Sequence, residues 1–365
     1  MAWLLFHLHG HQDGNGWRSS RTWNHAAVSY CKYTHPDLFK EVAQRDFKRV
    51  VISGSGSSFH AGTGAKLYMQ KTMGIPVDVI YPFQAEDYLF TQPSETLFIG
   101  ISQSGTSLSA FRAMEHAKAQ GCVLASMAGR TDEGVILDTV ADYTLTVPCG
   151  EEGDLQPKTK GFLCTIVNLQ LLAASWALAH GRLDDASYQE TLRQLSEVAD
   201  NMPNVLDDAK AWIDKYGQML AQSHDIRLVG TKDIFGIVLE GTLKLVETLR
   251  VPVGGYEFEE FIHGVYNAIN QDSLVVLLDT GREPRMKTLK EVLSQWSDYI
   301  MIAGASAQDD RDFVVRTKGY EDFYNLEYSL LLFSICSQVS AMKGIDIQTT
   351  KDTSFHAKLG SKVLR

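Results

Sequence analysis

The sequence predicts an α/β protein of two halves, each a doubly wound parallel sheet flanked by helices. Short β-rich runs alternate with longer segments of helical period, the pattern of parallel strands joined by crossover helices. The alternation stops once, between residues 160 and 223, and then resumes. The length, 365 residues, also exceeds what one hydrophobic core usually organises.

Arg49-Val50-Val51-Ile52-Ser53 is the first strand and runs into glycines, after which a helix is expected from His60 to Met73. Residues 77–81, 96–101, 122–126 and 143–147 supply four more β-rich runs. Between Lys160 and Ser223 the apolar residues Leu163, Ile166, Leu169, Leu172 and Trp176 recur at helical spacing, as in a helical connector. Residues 226–230, 273–278, 299–302 and 313–315 read as the strands of the second half, which closes on a helix from Leu326 to Met342. The expected division is an arm over residues 1–35, a first domain with its connector over 36–205, and a second domain with a C-terminal tail over 206–365.

Composition narrows the function. Forty-four acidic against 34 basic residues give a net charge of −10 with no Lys/Arg run, so no nucleic-acid partner is expected. Small anions stay open, because a few local donors bind a phosphate whatever the net charge. No apolar run is seen to approach the roughly 18 residues of a membrane span, so no membrane partner is expected. Cys31, Cys122, Cys149, Cys164 and Cys336 are odd in number and lack CxxC spacing, which argues against a disulfide framework or zinc knuckle and for a reducing compartment. Trp3-Leu4-Leu5-Phe6 is too short for a signal peptide, and a cytoplasmic location is expected. His7, His9 and His11 lie in a glycine-rich stretch without carboxylate or cysteine support and read as a solvated terminus.

Two loops could hold a phosphate. Ser102-Gln103-Ser104-Gly105-Thr106-Ser107 follows one strand and precedes the helical segment 108–120, the position where open parallel sheets bind ligands. Hydroxyl side chains, a glycine and the unpaired N–H groups of a helix start make a donor-rich cradle; the plainer reading is an N-cap that binds nothing. Gly54-Ser55-Gly56-Ser57-Ser58-Phe59-His60 occupies the same position after the first strand. It is not GxGxxG, and no GxxxxGK[ST] occurs, which disfavours a dinucleotide site or a P-loop. His60 reads equally as a ligand contact or a surface histidine. The second half offers only Asp279-Thr-Gly-Arg-Glu-Pro at the matching place, so one phosphate site per chain is expected. Tyr320, Phe323 and Tyr324 read as packing of the last helix.

GSGSSFHA and SQSGTS together resemble the two phosphate loops of the sugar-isomerase (SIS) family, in particular the isomerase half of glucosamine-6-phosphate synthase and the fructosamine-6-phosphate deglycases. Glu240-Gly-Thr-Leu-Lys244-Leu-Val-Glu247, followed by Glu260-Phe-Ile-His263-Gly264, resembles that family's E-G-x-L-K-L-x-E and E-x-x-H-G motifs. The likeness runs over about residues 45–350 and implies two SIS domains. It implies catalytic roles for Glu247 and His263, and phosphate or sugar contacts from Ser57, Ser58, Ser102, Gln103, Ser104, Thr106 and Ser107. The family has a C-terminal lysine that reaches the sugar, and its equivalent here would be Lys358, Lys362 or neither. The family also implies a homodimer with a shared site, since its histidine comes from a neighbouring subunit. Thr106 stands where the synthase has an acidic residue, and Val265 where proline is usual. No glutaminase segment precedes the first strand, so glutamine-dependent amination is not expected.

A carboxylate and an imidazole at one sheet mouth can open a sugar and move a proton between C1 and C2, because burial tunes each toward neutral pH. Read by themselves, Glu247 is also an ordinary i,i+3 partner for Lys244 and His263 an ordinary loop histidine. The function expected is isomerisation or deglycation of a ketose or amino-sugar 6-phosphate of the fructosamine type, with no cofactor and no metal. The alternative from another class is a non-catalytic sugar-phosphate sensor.

Overall fold

In the computed structural model, which describes residues 36–130, 134–147, 149 and 157–362, the first half contains β1 (Arg49–Ser53), β2 (Val77–Ile80), β3 (Thr96–Ile101), β4 (Val123–Met127) and β5 (Tyr143–Thr144). All pair in parallel in the order β2-β1-β3-β4-β5. Every residue of β3 and β4 is buried, as strands covered on both faces must be. The fifth strand is shorter than the 143–147 expected. Leu145 and Val147 still donate to Ser126 and Ala128 at 2.8 Å, so the chain runs on beside β4 as a ragged edge.

The second half holds β6 (Asp225–Gly230), β7 (Val253–Glu257), β8 (Ser273–Asp279) and β9 (Ile300–Gly304), parallel in the order β7-β6-β8-β9. β7 is a strand the sequence did not announce: Val-Gly-Gly-Tyr-Glu carries two glycines and is only half-buried. A Cβ on Gly255 would collide with the Thr242 hydroxyl, so the glycine is there to let a helix close over the strand. The strand expected at 313–315 is a single bridge between Phe313 and Ala303 instead. The buried carboxylate of Asp312 accepts from the Ile302 amide at 2.7 Å, so a side chain takes a ladder position the backbone would otherwise fill.

From β1 onward the α-helices of the described residues are α1 (Ser57–Met73), α2 (Leu108–Ala119), α3 (Lys160–Ala179), α4 (Asp185–Gln222), α5 (Phe235–Leu249), α6 (Phe258–Ile262), α7 (Met286–Leu293), α8 (Tyr324–Met342) and α9 (Phe355–Lys358). The first starts three residues before the expected His60. Residues 205 and 206 fall inside α4. α3 corrects the reading that no long apolar run exists: by length and composition this helix could cross a membrane. Its most apolar 18-residue window is 83% buried within the fold, and an all-round apolar helix of that kind belongs to a core. The arm over residues 1–35, with its histidines and Cys31, lies outside the described residues.

One apolar cluster joins the halves, running from Val50 and Ile52 through Ile166, Leu169 and Ile237 to Leu228, Leu278 and Leu332. Two smaller clusters back the sheets, around Val51, Phe98 and Met114 and around Val229, Phe261 and Leu277. Helices α1 and α5 meet backbone to backbone at Gly236, where a Cβ would strike the Gly64 backbone and the His60 carbonyl oxygen. That contact sets the first donor loop against the helix carrying Glu240 and Glu247.

Candidate active site

In the first sheet the strand order reverses between β1 and β3, and the crevice outside the carboxyl ends of those strands is where an open α/β sheet takes its ligand. Both donor loops open there, 54–56 after β1 and 102–107 after β3.

The second loop is shaped by Gly105, whose φ of +68° turns the chain and whose amide donates to Ser102 O at 2.9 Å. Ser104 and Thr106 hydroxyls lie 2.9 Å apart, either one the donor, and Ser102 and Thr106 are buried. Ser107 is the N-cap of α2, accepting from Ala110 N at 3.4 Å, so part of its capacity is spent on the helix. Gln103 turns aside: its amide donates to Cys149 Sγ at 3.0 Å and is walled by Gly129 and Gly161, where a Cβ would collide with it.

The first loop behaves differently from expectation. Ser57 Oγ donates to Glu240 Oε1 at 2.9 Å, so this hydroxyl serves the protein, whereas Ser58 carries no side-chain bond of that kind. His60 is no surface residue but is buried, its Nδ1 2.8 Å from Glu240 Oε2. Glu240 is fully buried, and Lys244, one turn on, lies 3.7 Å from its Oε1. Lys244 then donates to Glu247 Oε2 at 2.7 Å. Burial works to lower the Lys244 pKa, but the Glu240 and Glu247 carboxylates outweigh it and hold the ammonium above its usual range. Burial likewise pushes the neighbouring Cys336 thiol up to about 12. Ser57, His60, Glu240, Lys244 and Glu247 therefore form one connected line from the donor loop to a half-exposed carboxylate.

His263 stands apart from that line. It does not sit in a loop directly after α5, because β7 and α6 intervene; it is the C-cap of α6, exposed, with Nδ1 2.6 Å from Glu259 O. Lys358 is exposed and paired with Asp352 at 2.7 Å. Lys362 instead makes an antiparallel bridge with Ser107, at the second donor loop. Glu240 and His60 are the residues sequence reasoning undervalued. The signal was present, since Glu240, Lys244 and Glu247 recur at i, i+4 and i+7 and so share one helix face.

The second sheet has the same crevice, between β6 and β8, and there hydroxyls of the chain bond to a carboxylate of the chain. Thr231 donates to Asp233, and Thr280 Oγ1 donates to Asp233 Oδ2 at 2.8 Å. Among the described residues no group of three His, Cys, Asp or Glu could hold a metal ion.

The SIS domain family model matches residues 45–175. A candidate phosphosugar isomerase of Clostridium difficile 630 superposes with a TM-score of 0.88 at 37% identity, over 98% of this chain and 100% of that one. A candidate sugar-binding protein of Salmonella typhimurium LT2 superposes at 0.80 with 36% identity, over 89% of this chain and 100% of that one. The glutamine--fructose-6-phosphate aminotransferase [isomerizing] of Brucella abortus is 25% identical over 348 residues, 90% of this chain and 55% of that protein. The chain thus spans about half the length of the curated relatives it matches.

Proposed function

The chain belongs to the SIS-domain family, and from that premise we propose that it moves a proton between C1 and C2 of a ketose or amino-sugar 6-phosphate, as an isomerase or as a deglycase of the fructosamine type. The observation that carries this reading is the connected line from the donor loop at the β1/β3 switch point to Glu247.

The phosphate sits over the second loop, held by Ser104, Thr106 and the amides at the start of α2, with Ser58 across the crevice. Lys244 pairs with Glu247 and so fixes its carboxylate at the mouth of the crevice, where it acts as the base. Glu247 takes the C1 proton and returns it at C2; on a ketosamine this leaves a C1 imine, which water hydrolyses to the aldose phosphate and a free amine. Ser57, His60 and Glu240 hold Lys244 and touch no substrate. Lys362, beside Ser107, is the C-terminal lysine that reaches the sugar. His263, exposed and outside the line, supplies acid/base work at the ring oxygen or leaving amine from a second copy, in a homodimer with a shared site.

A non-catalytic sensor is the second reading, favoured by the closeness of the Lys244–Glu247 pair, which would serve equally as a structural contact. Thermal stabilisation by a panel of 6-phosphosugars and their amine adducts tests binding, because ligand held by the folded state raises apparent stability. Turnover assays on the stabilising compounds then decide between catalyst and sensor. Equal stabilisation by fructose and fructose 6-phosphate would overturn both readings.

A further inference from the structure

Arg250 follows α5 directly and is the one non-glycine among the described residues with a left-handed backbone, φ 56° and ψ 39°. Glycine is usual at this position after a helix, because any Cβ crowds the next carbonyl oxygen. Such strain persists where the surroundings over-determine it. Here the guanidinium does so: Nη2 donates to Asp346 O at 3.1 Å and to Thr349 O at 3.0 Å.

Both carbonyls belong to the strap that leaves α8 and runs to Lys362. The strap is largely exposed, with Phe355 at 55% and Leu359 at 64%, so it buries little apolar surface to hold its course. Its end nevertheless arrives at the second donor loop, where Lys362 bridges Ser107. Arg250 lies three residues beyond Glu247, so the helix carrying the base also grips the strap.

We propose that Arg250 is a positioning residue that latches the C-terminal strap and thereby delivers Lys362 to the donor loop. The role of Lys362 rests on the phosphosugar reading; the latch does not. A residue that merely ended α5 would give a different result when replaced by glycine, which fits the left-handed position without strain: stability would hold and the strap would be unaffected.

The test uses Arg250→Gly and Arg250→Lys in the full chain. Chymotryptic cleavage after Phe355, followed by mass spectrometry under native conditions, is expected to run on the order of tenfold faster in Arg250→Gly, since two charge-assisted hydrogen bonds are lost. The melting temperature should not fall, and Arg250→Lys should lie between. Unchanged cleavage, or faster cleavage accompanied by a general loss of stability, would overturn the latch. With fructose 6-phosphate as probe, Arg250→Gly and Lys362→Ala should each weaken binding and the double variant should be no weaker than Lys362→Ala, because both remove one interaction. Additive losses would overturn the link to Lys362. A wild type that ignores fructose 6-phosphate would strike the phosphosugar reading, and the cleavage result would still decide the latch.

Discussion

The two crevices at the switch points of the two sheets share a topology and differ in what their side chains do. Outside β1 and β3 the loops present Ser58, Ser104 and Thr106 with no carboxylate of the chain bonded to them. Outside β6 and β8, Thr231 and Thr280 are equally placed, but both give their protons to Asp233, and Asp279 accepts from the Gly281 amide at 2.8 Å and from Ser306. In the first crevice only Ser57 is drawn onto a carboxylate of the chain, Glu240; in the second both threonines bond to one carboxylate, Asp233. Strand order sets where a ligand could bind, and a single acidic side chain decides whether the threonine hydroxyls there are already bonded.

Five substitutions would break or sharpen that contrast. The largest effect is expected at Glu247. Glu247→Gln is nearly isosteric but cannot accept a proton, so kcat should drop by on the order of 10²-fold or more while KM stays close to wild type. A variant as fast as wild type would make the pair with Lys244 purely structural and leave the first crevice a binding site.

Next comes Glu327, one of the acids that the second half buries. Burial, working against hydrogen bonds from Asn201 at 2.7 Å and the Lys318 amide at 3.0 Å, pushes its pKa up to about 7. The folded protein then holds this proton more tightly than the unfolded chain, whose value is near 4.5. Stability is therefore fully present below about pH 4.5 and is lost progressively as the pH rises through about 7, levelling off above it. Glu327→Gln removes this loss: the variant should match wild type in acid and exceed it at pH 8, by no more than about 3 kcal/mol. Urea melts of both proteins across that range measure it, and parallel pH curves would show that the buried acid costs nothing.

Asp233→Ala tests the self-filled crevice directly. Thr231 and Thr280 lose their acceptor, and stability should fall by about 1–3 kcal/mol. Added inorganic phosphate should restore part of the loss in the variant without stabilising the second half of the wild type. Failure of phosphate to rescue would mean that the crevice is shaped for its own carboxylate alone. The smallest effects are expected at the first crevice, where Ser104→Ala and Thr106→Ala should each weaken phosphosugar binding by about 1 kcal/mol in calorimetry. Unchanged affinity in both would place the anion elsewhere.

Much of this was legible in the sequence, because it depends on local pattern. The β-rich runs that became β3 and β8 are buried at every residue, and β1 and β6 carry the same signal in Val50-Val51-Ile52 and Leu228-Val229; such runs announce themselves. The two donor loops and the face shared by Glu240, Lys244 and Glu247 likewise follow from spacing along the chain. The edges were less legible: β7 depends on glycines that matter only because a helix lies over them, and the strand expected at 313–315 gave way to the Asp312 carboxylate. What tertiary structure alone decided is which polar groups are spent. Ser57 and His60 are loop residues in the sequence, and they became partners of Glu240 because the contact between Gly64 and Gly236 brings two helices together across nearly two hundred residues. Asp233 became the acceptor for Thr231 and Thr280, and Lys362 rather than Lys358 came to lie beside the donor loop, by the course of segments remote from either. A buried donor or acceptor must find a partner, and only the folded arrangement determines which partner is near enough to supply it.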